Sequence, residues 1–284
     1  CSNLSLYSAY NPNKVYYQKS RPKVTANPNK HYVALLMSDG DNVQWMQGDF
    51  RTESWYGNKH RGDFPMTWTV SPSTYDLNAQ ALDYIYGTQT DNDYFITSPS
   101  GFAYRNMGSC ANNSKFTETS LKYMKDMDQH IVNFLDWNAC KYPERFAQFM
   151  EDPSVKGGVW SKGQLYMSGG GDVYWINDKP IISMREGLWD RPNNGNDLSI
   201  EAVAERINKY PCDIKTINGY TIVMCGCWSE NGRMDKIAEF VKLLGDQVEL
   251  VTVDQLISLV AENVTSHEHA TPNERNTISK YHWM

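Results

Sequence analysis

Residues 32–45 read Tyr-Val-Ala-Leu-Leu-Met-Ser-Asp-Gly-Asp-Asn-Val-Gln-Trp. Val33 to Met37 is a continuous apolar run, the length of one strand buried on both faces. It breaks into Ser38-Asp39-Gly40-Asp41-Asn42, which has no apolar side chain and contains a glycine able to take positive φ. Ligands of α/β folds sit at the carboxyl ends of strands. Two carboxylates and an amide delivered there mark a candidate active site. Ordinary turn and capping chemistry uses the same residue types, so the rest of the chain has to decide between the two.

Beyond this stretch, short apolar runs alternate with amphipathic segments, the pattern of α/β organisation. Strands are expected at 33–37, 66–70, 94–97, 131–135, 157–160 or 173–176, 181–184, 220–224 and 248–253. Helical faces lie between most of them: Leu77, Ala81, Leu82 and Ile85; Leu121, Met124 and Met127; Ile200, Val203, Ala204 and Ile207 after Ser199; Met234, Ile237, Val241 and Leu244. Asp254 is the expected cap of a closing helix. Seven or eight strands separated by helices close most simply as a (β/α) TIM-like barrel over residues 31–261, distorted in its glycine-punctuated middle. The open doubly wound alternative lacks the G-x-G-x-x-G loop after its first strand. Residues 1–30, polar and punctuated by Pro12, Pro22 and Pro28, read as an N-terminal arm or linker. Residues 262–284 read as a polar C-terminal extension.

Composition narrows the function. A net charge of −6 gives no electrostatic case for nucleic acid or an anionic membrane. No apolar run approaches the roughly 20 residues that span a bilayer. The 18 tyrosines and 9 tryptophans supply flat rings with polar tips, the surfaces that carbohydrate sites use, although most must fill the core. The six cysteines match no zinc spacing. Sequons at Asn3, Asn112 and Asn263, with the even cysteine count, favour an extracellular or cell-envelope location.

A barrel would gather the polar strand ends at one mouth. Asp39, Asp41, Asp136 and Glu186 are the candidate catalytic carboxylates. Asn42, Gln44, Trp45, Arg61, Trp68, Ser71, Ser100, Gly101, Tyr104, Arg185 and Trp228 are the candidate substrate contacts. Glycoside hydrolysis needs an acid to protonate the leaving oxygen and a carboxylate as nucleophile or base. Aspartates after the first strand would also suit a metal-dependent polysaccharide deacetylase. That chemistry wants several histidines, and only His60 lies on a suitable loop. No cofactor is expected beyond a calcium ion that Asp39 and Asp41 could hold.

Tyr32 to Trp45, Arg61-Gly62-Asp63-Phe64-Pro65-Met66 with Trp68 and Ser71-Pro72, Ser98-Pro99-Ser100-Gly101-Phe102-Ala103-Tyr104, Lys179-Pro180 through Arg185, and Trp228-Ser229 together resemble the C-terminal domain of the GxGYxYP glycoside hydrolase family. The resemblance runs in order from about residue 20 to residue 260. It implies a barrel-like α/β domain acting on carbohydrate, with smaller N-terminal domains, not in the sequence given, that pack on it. Two departures stand out. The naming motif would begin at Gly101 and keeps Tyr104, but Ala103 replaces its second glycine and Asn106-Met107 its closing Tyr-Pro. Gly226 stands where relatives resemble a His-x-Trp-Ser pattern. These departures leave room for a non-catalytic glycan-binding barrel beside the hydrolase.

Overall fold

The computed structural model describes residues 3–110, 112–136, 143–161, 166–167, 169–190 and 195–265. Residues 266–284, most of the expected C-terminal extension, lie outside the described residues, as do Gln164 and Leu165.

The first apolar run is β1 (His31–Met37), preceded by a single helical turn, α1 (Leu4–Tyr7), and an extended arm. Next come α2 (Val43–Gln47), β2 (Met66–Thr69), α3 (Thr74–Leu77), α4 (Ala79–Gly87), β3 (Asp93–Ile96), α5 (Ser114–Asp126) and β4 (Ile131–Leu135). They are followed by α6 (Ala147–Glu151), β5 (Gly157–Ser161), β6 (Val173–Ile176), β7 (Lys179–Ser183) and β8 (Glu186–Leu188). The chain closes with α7 (Ile200–Ile207), β9 (Tyr220–Cys225), α8 (Met234–Lys242), β10 (Val248–Val251) and α9 (Val253–Asn263).

The fold is mixed α/β, with β1 at the centre of a parallel sheet. One edge of β1 pairs with β9 along Tyr32–Met37. The other edge is shared, with β10 alongside His31–Ala34 and β2 alongside Leu36 and Met37. β3 extends the sheet beyond β2, and β8 extends it beyond β9. A second sheet has the order β4-β5-β7-β6. The two sheets are tied by Thr97 N–H donating to Ile131 O at 3.2 Å, and by the run 179–188, whose first half pairs with β5 and second half with β9.

Period-2 alternation lets β1 serve two cores. Tyr32, Ala34 and Leu36 join Ile96, Ile131, Val159, Ile182, Ile222 and Met224, a cluster drawn from both sheets. Val33, Leu35 and Met37 point the other way, into the layer beneath α4, α7 and α8. A third cluster packs Val132, Phe134 and Trp160 against Phe146, Phe149 and Met150.

The ten strands among the described residues exceed the seven or eight expected. Both alternatives, 157–160 and 173–176, are strands, and the second is antiparallel. Asn177 and Asp178 both adopt positive φ (52° and 58°). That is a turn that folds β6 straight back onto β7. The helix expected over residues 77–85 breaks at Asn78, whose side chain caps α4 through Ala81 N. Thr252, not Asp254, caps α9, because Thr252 and Gln255 form a reciprocal capping box.

The described part of the polar arm, residues 3–30, is tied to the domain in part by side chains. The Gln18 amide donates to Phe95 O at 3.0 Å and accepts from Phe95 N at 2.7 Å, supplying β3 with the partner its edge lacks.

Candidate active site

The turn after β1 is built against the end of β2. Thr69 Oγ1 donates to Met37 O and accepts from Gly40 N, both at 2.9 Å, and Ser71 N donates to Gly40 O at 3.0 Å. A Cβ on Gly40 would lie 1.7 Å from Thr69 O, so this glycine is required for space. The residue that takes positive φ is Asp39, at 65°. Asparagine and aspartate are the side chains that enter this region most readily. Asn42 behaves as turn chemistry predicts, its side chain accepting from Trp45 N at 3.0 Å to cap α2. The two aspartates cap nothing.

Their environments differ. Asp39 accepts from three donors. The Ser38 hydroxyl and the Cys227 thiol (3.5 Å) reach Oδ2, and the Tyr166 phenol reaches Oδ1 at 3.4 Å. The last is long for a hydrogen bond. Asp41 has a buried Oδ1 with no hydrogen-bond partner. Burial, with the charge of Asp39 second, pushes its carboxyl up to about 6. Burial and Asp39 also raise the Tyr166 phenol and the Cys227 thiol, which therefore stay protonated donors.

Two exposed aromatics belong to the same place. Trp228, 56% exposed, follows Cys227 and leans on buried Trp45 with ring centroids 5.9 Å apart. Tyr104, 57% exposed, has its phenol pushed up by partial burial and then by the charges of Asp41 and Asp39. Gln44 is exposed on α2, which follows the turn directly. The structure thus groups Asp39, Asp41, Gln44, Trp45, Tyr104 and Trp228 from the expected set, and adds Tyr166 and Cys227. Cys227 adjoins the expected Trp228. Tyr166 lies in a glycine-punctuated stretch with no sequence signal.

The side chains of the other expected site residues have structural partners of their own. Arg61 pairs with Asp93 at 2.7 Å, donates to Thr88 O and stacks over Tyr56. Trp68 is fully buried with its indole N–H on Asp93. Asp93 opens β3, so the side chains of both are tied to the start of that strand and not to the aspartate turn. Ser71 accompanies Ser73 and Phe102 O. Ser100 is buried in the loop after β3 and ties that loop to β4 through the Leu135 backbone. Gly101 is a packing glycine, φ 113°, where a Cβ would sit 2.5 Å from Ser120 Oγ.

The two other expected carboxylates also have neighbouring partners. Asp136 is fully buried and accepts from Gly108 N, holding the turn at Met107–Ser109. Glu186 is buried under α7, paired with Arg206 (2.7 Å) and bonded to Tyr210. Arg185 stacks on Tyr210 at 3.6 Å and donates to Asn218 O. Arg185, Glu186, Arg206 and Tyr210 line a cavity of about 290 Å³, and a second, of about 340 Å³, lies between the arm and α9. Neither includes Asp39 or Asp41.

Among the described residues no group of three or more His, Cys, Asp or Glu is arranged to hold a metal ion. His31 is buried between Pro211 O and Thr221 Oγ1, His60 faces Asp63, and His130 faces Asp128. At position 226 a Cβ would lie 2.7 Å from the Trp189 indole, which fills the space a histidine there would need. Cys110, Cys212, Cys225 and Cys227 are free thiols.

Comparison with known proteins bears on this geometry. A putative hydrolase from Bacteroides thetaiotaomicron VPI-5482, known from its crystal structure, is 26% identical, with a TM-score of 0.83 over 93% of this chain and 51% of its own. The chain therefore spans about half the length of that protein. A putative polysaccharide deacetylase from Mycobacterium smegmatis shares the fold at 12% identity, with a TM-score of 0.50 over 90% of this chain and 99% of its own. No curated protein matches the sequence. The sequence model described as GxGYxYP putative glycoside hydrolase C-terminal domain matches residues 29–261, and the chain belongs to that family.

Proposed function

We propose that the protein is a carbohydrate-active hydrolase of the glycoside hydrolase type, with its chemistry at the Asp39–Asp41 turn. The observation that carries this reading is the contrast between the two carboxylates. Asp39 is surrounded by donors and is the acceptor of the pair. Asp41 sits in a drier position, with a carboxyl held up to about 6, and is the acid. In the proposed step the glycosidic C–O bond breaks as the Asp41 proton passes to the leaving oxygen. A water gives its oxygen to the anomeric carbon and its proton to Asp39. Trp228 and Tyr104 supply ring faces for the sugar.

The same reading treats the two sheets as one distorted (β/α) barrel with this turn at its mouth. Its support is the core cluster drawn from both sheets and the run 179–188 that pairs with each in turn. The test is product release from a glycan panel. Asp39→Asn and Asp41→Asn should each lower kcat by about 10²–10⁴-fold, and full activity in the double variant rejects the assignment.

A second reading, a glycan-binding barrel without turnover, is favoured by Gly226 under the Trp189 indole. Tight glycan binding without product after long incubation would select it.

A further inference from the structure

Seven described non-glycine residues adopt positive φ, and six of them are Asn or Asp. The seventh is Tyr166, at 64°. A bulky side chain gains nothing locally from this conformation, and backbone held there by its surroundings concentrates at functional sites. Tyr166 places its hydroxyl 3.4 Å from Oδ1 of Asp39, itself at φ 65°. Its ring packs against the core cluster shared by the two sheets. Two left-handed residues from distant parts of the chain therefore meet through one hydrogen bond.

The bond falls on a particular oxygen. Oδ2 of Asp39 already accepts from Ser38 and Cys227. Oδ1 has the Tyr166 phenol as its donor, at a distance that leaves it the less committed of the two. We propose that Tyr166 is a positioning residue for the Asp39–Asp41 reaction, holding the Asp39 carboxylate so that Oδ1 is the oxygen presented to substrate or water. The inference rests on the hydrolase reading above. It goes beyond that reading by naming the reacting oxygen and the residue that orients it.

The test is Tyr166→Phe in the full chain, which keeps the ring and removes the donor. kcat falls about 10–100-fold while KM stays within about threefold, because the lost bond acts on the carboxylate and not on sugar affinity. In an Asp39→Asn background the same substitution has no further effect, since Tyr166 acts through Asp39. A crystal structure of Y166F supplies a readout that needs no turnover, with the Asp39 carboxylate rotated from its wild-type orientation. An unrotated Asp39, or a kcat within twofold of wild type, overturns the proposal. If the wild-type protein releases no product from any glycan, the hydrolase reading fails, and the orientation of Asp39 in Y166F still decides the role of Tyr166.

Discussion

Asp41 and His31 are both shifted by burial, in directions that oppose each other. Asp41 is held up to about 6, so the folded protein keeps that proton after the unfolded chain has lost it. Its effect is to lower stability as pH rises from about 4 to about 6, by on the order of 2–3 kcal/mol, and the penalty persists above. His31 is lowered to about 4, chiefly by burial, so it stays neutral in the fold while the unfolded chain takes up a proton. Its contribution is complete above about pH 6.5 and is lost as pH falls towards 4, by on the order of 3 kcal/mol. The two nearly cancel in the wild-type protein. Asp41→Asn should raise the melting temperature at neutral pH and uncover the His31 slope, visible as a steep loss of stability between pH 6.5 and 4 in urea titrations. If Asp41 is the acid, kcat should also fall on the alkaline side of about pH 6. A variant that gains stability while losing turnover separates a functional carboxylate from a structural one.

At the level of elements, strand and helix ends decide which polar residues are free for chemistry. Glu186 stands at the start of β8, where sequence alone offers it as a catalytic acid, yet α7 brings Arg206 across it and Tyr210 beside it. Removing one partner of a buried pair strands the other charge. Arg206 is itself half-buried, and Arg206→Ala should cost about 1.5–3 kcal/mol in urea unfolding, while kcat of the folded fraction is unchanged. Gly40→Ala drives a methyl group into Thr69 O and should destabilise by more than about 3 kcal/mol, although the backbone-entropy effect of a glycine-to-alanine change taken alone would stabilise by about 0.4–1 kcal/mol. The strands were legible because apolar runs bounded by polar turns report burial directly, as Val33–Met37 and Tyr220–Met224 do. What the sequence could not reveal was the partner of each polar strand end. Arg61 and Trp68 meet on Asp93, and Asp136 meets Gly108, through contacts 25 to 32 residues apart. Asp39 and Asp41 were readable because the turn that carries them is contiguous. Tyr166 was not, because only the fold brings it across 127 residues to Asp39.

Across the whole molecule, the residues 179–188 belong to one sheet and then to the other without leaving the chain. In mechanical terms this run is a rivet. Shear between the sheets would have to stretch covalent bonds, not merely slide side chains past one another. The two halves should therefore lack independent compliance. Amides of Ile182, paired into one sheet, and Gly187, paired into the other, should exchange with solvent in the same protection class, and force applied to the chain ends should give one rupture event in place of two. Such stiffness would keep the turn after β1, which stands on one sheet, in register with side chains packed on the core the sheets share, so that the 3.4 Å contact between Asp39 and Tyr166 survives thermal motion of the frame.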